Sequence, residues 1–489
     1  MNIKELEELL KDSDINSIIE KLKSGRNTPN PDTDLYLSQL DPAKHDVFDP
    51  VNRPDKIIKL DQPSKKEGEQ SLDVGYIGGE KETTGFEKVA RIALAVQKLI
   101  VKRSVSFTFG NQVALNAEPE DDSEKLVFKA VKGILFDTKS RTINRKVARE
   151  IFSTTEAAEY WYPVEKPTER YGFKSKWKLR VAIFSPKNGD KLYPYFDETS
   201  DMIAFSREFS IVDSEGKTTV YFETYTEKEH RKWKRSESEW KVVEGFPKPI
   251  IIGKIPVIYG RQDFVEWEDV QGLIDRLEKL LSNFADTNDY HASPKIVVKG
   301  ELRGFTKKGE SGAILQLDGD GADARYLSWQ HAPESVKLEI ETLLRMIYTI
   351  TQTPDISFDS VKGIGAISGI ALKLLFLDAH LKVQEKMEIF DDYLQRRMSI
   401  IQSYIGKFNT QLHSACESLT IEPEIVPYMI EDEQAKVKLL TDANGGKPVV
   451  SQKKSIQQLG WVDDVDSEYK QILDEEKASK QQDLMESTI

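Results

Sequence analysis

Cysteine is almost absent from the sequence, which contains one among its 489 residues, Cys416. A single cysteine cannot form a disulfide within the chain, and it cannot build the multi-cysteine sites that hold structural zinc. The sequence is therefore typical of a protein that folds in a reducing compartment. We predict that the Cys416 thiol is buried and has a structural role rather than a nucleophilic one.

Long apolar runs are also missing. No stretch approaches the roughly 18 to 20 consecutive apolar residues that a membrane-spanning helix requires. The first residues, MNIKELEELLKDSD, carry charges from Lys4 onward and lack the apolar core of a secretion signal. These absences predict a protein that is neither secreted nor inserted into a membrane. Hydrophobic residues nevertheless make up 39% of the chain, which is enough for a sizeable folded core.

The sequence has no strongly basic segment. Its net charge is −13, of which residues 411–489 carry −8, while residues 353–410 are neutral. Residues 63–262 have an excess of five positive charges, spread over the whole region. Proteins that bind nucleic acid tightly need clustered Lys and Arg to displace counterions from the phosphates. The charge distribution therefore disfavours tight DNA binding and is compatible only with weak or transient contact.

Enzyme motifs are missing as well. The segment 245–255 (GFPKPIIIGKI) approaches a phosphate-binding loop, but its glycines have the wrong spacing and no Ser or Thr follows Lys254. The six histidines form no short-range zinc motif. Adjacent carboxylates on a helix point in different directions, so three such pairs predict solvated faces rather than a metal site: Asp121-Asp122, Asp391-Asp392 and Asp463-Asp464. We therefore predict no catalytic residues, no metal and no cofactor.

The first half of the sequence combines helix and strand patterns. Asn2 and Glu5 form a capping box for an amphipathic helix over residues 2–24, which Gly25 would end. The stretch 27–79, rich in Pro, Asp, Lys and Gly, indicates an extended arm or loop. The patterns that follow predict a helix over 86–101, a β-hairpin over 104–115 that turns at Gly110-Asn111, helices over 127–159, and mostly strands and turns over 160–225.

The second half is mainly helical and contains a small β insertion. Apolar residues at a 3.6-residue period predict helices over 264–290 and 333–352, and KIVVKG and AILQLDG predict two strands between them. A loop with three glycines, 357–369, precedes a very long helix from about Ser368 to about Lys407. The remaining predictions are a strand near 419–426 and helices near 432–442, 453–459 and 466–480. This order of elements predicts an α+β fold.

Four segments resemble the portal proteins of tailed bacteriophages, in particular the siphovirus and prophage type. They are QKLIVKRSVSFTFGNQV (97–113), IPVIYGRQDFVEWEDVQGLIDRLEKLLSNFAD (255–286), TPDISFDSVKGIGAISGIALKLLF (353–376) and LGWVDDVDSEYKQILDEE (459–476). The third is the most specific, because a Thr-Pro-Asp turn, a loop and then Ser-Gly-x-Ala-Leu-Lys lead this family into its tunnel. The long N-terminal arm and the segment 174–240 depart from the family pattern.

The resemblance implies a portal fold with an α/β wing, a two-helix stem, a small β clip, a long tunnel-lining helix and a helical crown. The implied domains are the N-terminal arm and wing (1–262), stem helix 1 (263–293), the clip (294–332), stem helix 2 (333–352), the tunnel loop (353–369), the long wing helix (370–410), and the distal wing strand with the crown (411–489).

The function that the resemblance implies is that of a ring, usually a dodecamer, at one capsid vertex, assembled in the cytoplasm of the host bacterium. Double-stranded DNA would pass through its channel and be bound weakly, which suits the acidic second half because like charge prevents sticking. The implied partners are the terminase large subunit, a head-tail connector or adaptor, and the major capsid and scaffolding proteins. Two alternatives are another virion protein, such as a head-completion or minor capsid protein, and a phage metal-dependent nuclease.

Two sets of residues are the candidate functional sites under this resemblance. The tunnel loop contains glycines that permit changes of backbone shape, and it would pack against its copies around the ring or face the DNA. Its residues are Val361, Lys362, Gly363, Ile364, Gly365 and Ile367. The clip would dock the packaging motor and later the connector through charged side chains. Its residues are Arg303, Lys307, Lys308 and Glu310.

Overall fold

The computed structural model describes residues 2–59, 84–236, 239–291, 295–304, 316–327, 332–355, 374, 376–428, 433–445, 447–462 and 464–486. The chain divides into two compact units. The first comprises Met1–Pro354 and Ala379–Pro427, and the second comprises Asp355–Asp378 and Tyr428–Ile489. Among the described residues, no helix is both long and apolar enough to span a bilayer.

The structure mixes helices with antiparallel sheets, as the sequence predicts. The helices are α1 (Ile3–Leu9), α2 (Ile15–Ser24), α3 (Thr33–Leu40), α4 (Val96–Phe109), α5 (Asp122–Asp137), α6 (Ser140–Thr154), α7 (Gln271–His291), α8 (Ala332–Ile350), α9 (Leu377–Phe408), α10 (His413–Ser418), α11 (Glu433–Asn444), α12 (Gln452–Leu459) and α13 (Val465–Glu486). The strands are β1 (Lys56–Lys59), β2 (Thr84–Glu87), β3 (Ala114–Asn116), β4 (Glu156–Thr168), β5 (Ser175–Phe184), β6 (Lys191–Phe196), β7 (Met202–Val212), β8 (Thr218–Tyr225), β9 (Glu229–Ser236), β10 (Glu239–Val242), β11 (Lys248–Pro249), β12 (Val257–Arg261), β13 (Lys295–Gly304), β14 (Gln316–Leu327) and β15 (Glu422–Glu424).

The N-terminal residues form two helices, so the single helix predicted over 2–24 is wrong. The capping box is present, because Glu5 N–H donates to Asn2 Oδ1 and Asn2 N–H donates to Glu5 Oε2, both at 3.0 Å. The break lies before Asp14, whose carboxylate caps α2 by accepting from Asn16 N–H at 3.0 Å. Asp stabilises a helix N-terminus better than a helix interior, and this preference starts a second helix here.

The extended arm or loop predicted over 27–79 is wrong where its described residues, 27–59, form short helices. Asp32 caps α3 by accepting from Leu35 N–H at 3.1 Å, and Asp41 caps a short 3-10 turn over Pro42–Lys44. Pro42 occupies the first turn of that element, where its missing N–H costs no hydrogen bond. The Pro and Asp residues that indicated a loop thus begin short helices. Residues 2–59 are called the arm below.

The largest sheet has the strand order β10-β9-β8-β7-β6, with β11 paired to β9. The strands and turns predicted over 160–225 are observed, and Gly189 and Gly216 adopt positive φ of 84° and 81° in two of these turns. One face of this sheet packs on α1 and α2 through a buried cluster that includes Leu22, Phe222 and Trp233. A second sheet, β12-β4-β5, lies in the same unit. The arm therefore supplies one side of the hydrophobic core that covers the largest sheet.

The β-hairpin predicted over 104–115 is wrong. Residues up to Phe109 continue α4, and β3 pairs instead with the distant β15. Val105, Phe107 and Phe109 are all buried, and Phe109 meets Phe390 of α9 edge to face with ring centroids 4.9 Å apart. A helix that is buried on several faces loses its amphipathic period, so its apolar residues can mimic the alternation of a strand.

The helix predicted over 86–101 begins only at Val96, because the preceding residues are extended along α7. Their backbone N–H groups donate to side chains at four-residue spacing on α7: Ala90 N to Asp286 Oδ1 (2.7 Å), Ile92 N to Ser282 Oγ (2.9 Å) and Leu94 N to Glu278 Oε1 (2.8 Å). Two extended residues advance about 6.6 Å and four helical residues about 6 Å. Every second N–H of the extended segment therefore lies opposite every fourth side chain of α7. We call Glu278, Ser282 and Asp286 the polar row of α7.

The other predicted helices are observed with shifted ends. The region 127–159 comprises α5, capped by Asp121, and α6, which gives way to β4 at Glu156. In the second half, α7 and α8 enclose the hairpin β13–β14, in which Lys295 lies opposite Leu327. The long helix is observed as α9, and β15 lies within the predicted strand. In the second unit α11, α12 and α13 match the three predicted tail helices.

Candidate functional site

The candidate site begins with two helices and the hairpin that joins them. The chain leaves α7, forms β13 and β14, and returns in α8, which packs against α7. Ile274 and Leu277 of α7 and Leu343 and Ile347 of α8 are buried. Period-3.6 apolar residues thus bring two helices together that are separated in sequence by a β module.

The predicted site residues lie largely beyond what the structure describes. Of the clip residues, Arg303 lies on β13, whereas Lys307, Lys308 and Glu310 lie outside the described residues. The tunnel-loop residues also lie outside them; these are Val361, Lys362, Gly363, Ile364, Gly365 and Ile367. Neither set is therefore brought together or separated by the structure, and both stay predictions. The structure describes residues 332–355 and, beyond the loop, residue 374 and residues 376–428.

The first residues of the predicted tunnel loop (353–369) are fixed at the end of α8. Thr353 N–H donates to Tyr348 O at 2.9 Å, which closes the helix C-terminus. Arg103 of α4 donates from Nη1 to Pro354 O at 2.7 Å, and its guanidinium lies 5.4 Å from the centroid of the Tyr348 ring. The departure point of the loop is thus held by a hydrogen bond and a cation–π contact.

A buried charge cluster joins this departure point to α9, where the chain returns. Lys382 Nζ lies 2.5 Å from Glu266 Oε2, Lys386 Nζ lies 3.0 Å from Oε1, and Ser104 Oγ donates to Oε2 at 2.9 Å. Lys382 Nζ also donates to Thr351 O at 2.9 Å. Lys382 therefore bridges the two flanks of the predicted loop, and we call Glu266, Lys382 and Lys386 the Glu266 cluster.

The electrostatics of the Glu266 cluster favour charged side chains despite their burial. Burial raises the pKa of Glu266, but the charges and hydrogen bonds of Lys382 and Lys386 outweigh it and lower that pKa to about 2. Burial lowers the pKa of Lys382, against the attraction of Glu266. For Lys386 the attraction of Glu266 outweighs burial, and its pKa is raised. The carboxylate is thus ionised throughout the physiological range.

A second buried ion pair holds α9 farther along its length. Arg397 pairs with Glu159 of β4, with Nε 3.0 Å from Oε2, and donates from Nη1 to Asn144 Oδ1 at 2.6 Å. Trp161 Nε1–H donates to the same Glu159 Oε2 at 3.0 Å. The Glu159 carboxylate is fully buried, and both of its oxygens have donors. The long helix is therefore attached to a sheet as well as to the frame of the loop.

His45 of the arm contacts the polar row of α7 in a way that requires a charged imidazole. Its Nδ1 lies 2.8 Å from Glu278 Oε1 and its Nε2 lies 2.7 Å from Gln39 O. Both partners are acceptors, so both ring nitrogens must donate, which only the imidazolium does. Burial lowers the pKa of His45, but the hydrogen bond and charge of Glu278 outweigh it and raise that pKa above its ordinary value.

Two further ion pairs attach the arm, one to a sheet and the other to α7. Arg26 Nη2 lies 2.8 Å from Glu156 Oε2, and both side chains are buried. Arg53 donates to Asp286 Oδ2 at 2.6 Å and to Asn283 Oδ1 at 2.7 Å. The arm is thus fixed to β4 at one end and to the polar row of α7 at the other.

The described residues lack two features that some enzymes use, a cluster of metal-binding side chains and a reactive thiol. Within them, no group of three or more His, Cys, Asp or Glu side chains could hold a metal ion. Cys416 is buried, as predicted, and burial raises its pKa to about 11, so the thiolate is scarce at neutral pH. The chemistry of these residues is that of fixing helices in place.

Sequence reasoning missed the Glu266 cluster, although the sequence carries a signal for part of it. Lys382 and Lys386 are spaced i, i+4 and follow Ala379 by three and seven residues, so they share the core-facing stripe of the long helix. Lysines on such a stripe require a buried acid. Nothing local in the sequence identifies Glu266 as that acid.

The comparisons with known proteins give one family. A family model described as "Phage portal protein, SPP1 Gp6-like" matches residues 79–482. Two solved structures are similar over 74% of this chain and 88% of their own: "Neck of empty GTA particle computed with C6 symmetry" (TM-score 0.41, 10% identity) and "Neck of native GTA particle computed with C12 symmetry" (TM-score 0.37, 9% identity). The search of curated proteins gave no match. The family assignment therefore rests on the family model.

Proposed function

We propose that copies of this chain form a ring around a DNA channel, because the chain belongs to the SPP1 Gp6-like family of phage portal proteins. Proteins of this family are structural components of the capsid vertex and are not enzymes. The observation that carries this proposal is the family match over 79–482. That match includes α7, the hairpin β13–β14, α8 and α9, which are the elements a stem, a clip and a tunnel lining require.

The parts of the molecule acquire roles in this proposal. The arm and the sheets up to residue 262 are the wing, α7 and α8 are the stem, β13–β14 is the clip, and α9 is the long wing helix. Residues 353–369 are the tunnel loop, and α11 to α13 form the crown. The hairpin between two packed helices supports the stem and clip roles, because it is the feature that a clip at the end of a stem needs.

Exposed apolar side chains on α8 support assembly of several copies. Leu343 and Ile347 are buried, whereas Leu338, Met346 and Ile350 are exposed. Exposed apolar side chains on a helix favour contact with another protein surface. In a closed ring each stem has two neighbours that could cover this face, and identical contacts repeat around the axis.

The charge of the stem region supports weak rather than tight DNA contact. Residues 263–352 contain 16 acidic and 10 basic residues. A channel wall with excess negative charge repels the phosphates, so DNA can slide during packaging and ejection without being trapped. The partners in this proposal are the terminase large subunit, a head-tail connector or adaptor, and the major capsid and scaffolding proteins, with assembly in the host cytoplasm.

The tunnel loop and the clip have separate roles in this proposal. The loop acts between two flanks that the Glu266 cluster bridges, which supports a segment that changes shape while its ends stay fixed. Deleting 361–367 should permit ring assembly but severely impair packaging, and Lys362→Ala should lower DNA retention modestly. Charge reversal at Lys307 and Lys308 in the clip should leave rings intact and weaken docking of the packaging motor.

Electron microscopy and native mass spectrometry of the purified full-length chain test the central proposal. We expect closed rings of roughly a dozen copies with a central channel, because a cyclic assembly repeats one interface until it closes. A stable monomer as the sole species at micromolar concentration would contradict it. Particles without a channel would favour another kind of virion protein.

A further inference from the structure

A large cavity in the first unit has no role in the proposed channel. Its volume is about 940 Å³, and it opens between α5, the start of α6, β3 and the second half of α9. Apolar side chains line it, among them Leu115, Leu135, Phe136, Leu394 and Met398. Phe136 is 77% exposed although it lies on a regular helix. A cavity of this size accommodates several side chains of a partner.

The rim of the cavity is positively charged. Lys132, Lys139, Arg141 and Arg170 line it, and Asp137 is the one acidic residue among the lining side chains. Asp137 is already paired, with Arg170 Nη1 at 2.7 Å and Lys178 Nζ at 2.8 Å. Among the ion pairs of the described residues, none includes Lys132, Lys139 or Arg141. We call this site the basic cavity; an occupant that complements it carries both acidic groups and an exposed apolar side chain.

The chain itself presents a surface with those properties. In the segment 263–269 (DFVEWED), which leads into α7, Phe264 is 67% exposed, and Asp263, Glu268 and Asp269 are exposed around it. The neighbouring Val265 and Trp267 are buried, and Trp267 Nε1–H donates to Gln39 Oε1 at 2.9 Å. The buried residues fix the backbone, so Phe264 is held outward before any partner binds. We call this segment the acidic turn.

We propose that the acidic turn of one copy docks into the basic cavity of the next copy, with Phe264 packed against Phe136. This inference rests on the proposed ring, in which a head-to-tail interface joins two different faces of neighbouring copies. Burial of two exposed aromatic rings supplies apolar contact, and the lysines and arginine of the rim meet Asp263, Glu268 and Asp269. A preorganised turn loses little conformational freedom on docking.

Cysteine cross-linking tests this contact directly, because Cys416 is the one native cysteine and is buried. The double variant Phe136→Cys, Phe264→Cys changes exposed side chains and should fold normally. On treatment of assembled rings with a short bismaleimide, we expect a ladder of covalent multimers on a denaturing gel. Each single variant should show no ladder, since a head-to-tail contact does not bring two copies of one position together.

A matched pair controls for indiscriminate cross-linking. Val51 is 86% exposed and lies in the arm rather than in the acidic turn, so Phe136→Cys with Val51→Cys should give no ladder. A ladder of equal strength from that pair, or none from the Phe136 and Phe264 pair in intact rings, would overturn the inference alone. Absence of rings from the unmodified chain would overturn the proposed function and this inference with it.

Charge exchange provides an independent test. Lys132→Glu with Arg141→Glu should lower the ring yield about tenfold, and Glu268→Lys with Asp269→Lys should do the same, because like charges then face each other. Combining all four changes restores complementarity and should recover most of the rings. Lys176→Glu with Lys241→Glu makes the same charge change at exposed positions elsewhere and should assemble normally. Normal assembly of the first variant, or no recovery in the combined one, would contradict the docking.

Discussion

Helices α7 and α9 are both fixed by buried polar groups, but their partners differ in kind. The polar row of α7 accepts hydrogen bonds from the backbone N–H groups of Ala90, Ile92 and Leu94, which any residue type other than proline could supply. The long helix is fixed by the charges of Lys382, Lys386 and Arg397, which only side chains provide. The first contact therefore specifies a backbone shape, and the second specifies residue identities.

The two helices also differ in how their buried charges respond to pH. Glu266 has two lysines and stays ionised far below neutral pH. Glu278 has one titratable partner, His45, and that contact is complete only while the imidazole carries its proton. The part of the fixation of α9 that depends on Glu266 should thus be lost in acid, and the part of the fixation of α7 that depends on His45 should be lost in base.

The largest effect is expected from Glu266→Gln. Removing the carboxylate leaves two buried lysines without their counter-charge, and breaking a buried pair in this way costs about 3 to 5 kcal/mol. The free energy of unfolding from denaturant titration measures the loss. The triple variant Glu266→Leu, Lys382→Met, Lys386→Met removes the charges together and should recover much of it. A loss below about 1 kcal/mol from Glu266→Gln would show that the cluster is solvated.

The stabilising contacts of the two helices should respond to pH in opposite directions. Because the pKa of Glu266 is lowered from 4.5 to about 2, its contribution of about 3 kcal/mol is present above pH 4.5 and disappears as the pH falls toward 2. The pKa of His45 is raised from 6.5, so its contribution is present below that pH and is lost as the pH rises through the higher folded value.

Variants assign each pH effect to its residue. Stability measured against pH should lose its acid-side slope in Glu266→Gln and its slope above pH 6.5 in His45→Gln. Asp275 also lies near His45 and contributes to its raised pKa, so Asp275→Asn should diminish the His45 effect without abolishing it. An unchanged slope above pH 6.5 in His45→Gln would mean that another group causes it.

A smaller effect is expected when one acceptor of the polar row is removed. Ser282 is fully buried, and Ser282→Ala leaves the N–H of Ile92 without its partner, which costs about 1 to 2 kcal/mol. Ser403→Ala is the matched control, because that hydroxyl donates only to Ser399 O within α9. Amide hydrogen exchange should accelerate at Ile92 in the first variant alone. Equal protection of Ile92 in both would remove Ser282 from the contact.

The same contrast explains what could be predicted from sequence. Period-3.6 apolar residues indicated α7, α8 and α9, and turn residues indicated the strands over 160–225, because these signals are local. The extended segment 88–95 could not be predicted, since its hydrogen-bond partners are on α7, about 190 residues away in sequence. The burial of Val105, Phe107 and Phe109 within α4 likewise depends on distant partners such as Phe390.

The candidate functional site could likewise be predicted only in part from the sequence. The resemblance supplied the tunnel loop and the clip, and those predictions remain predictions because their residues lie mostly outside the described part. The residues that fix the flanks of the loop were not predicted, although Lys382 and Lys386 share the core-facing side of α9. His45 and Arg53 belong to the arm, which precedes the family match that begins at residue 79, so no family pattern could identify them.

The smallest effect is expected at the ion pair between α7 and α8, which is exposed and therefore contrasts with the buried charges. Arg276 Nη2 lies 2.6 Å from Glu339 Oε1, a distance as short as those in the Glu266 cluster, but the side chains are 51% and 39% exposed. Water screens exposed charges, so Arg276→Ala should change the free energy of unfolding by no more than about 0.5 kcal/mol. Glu339→Ala should do the same, and a double-mutant cycle of the two should give a coupling energy that decreases with added salt. A coupling above about 2 kcal/mol would show that burial does not govern the strength of charge pairs in this protein.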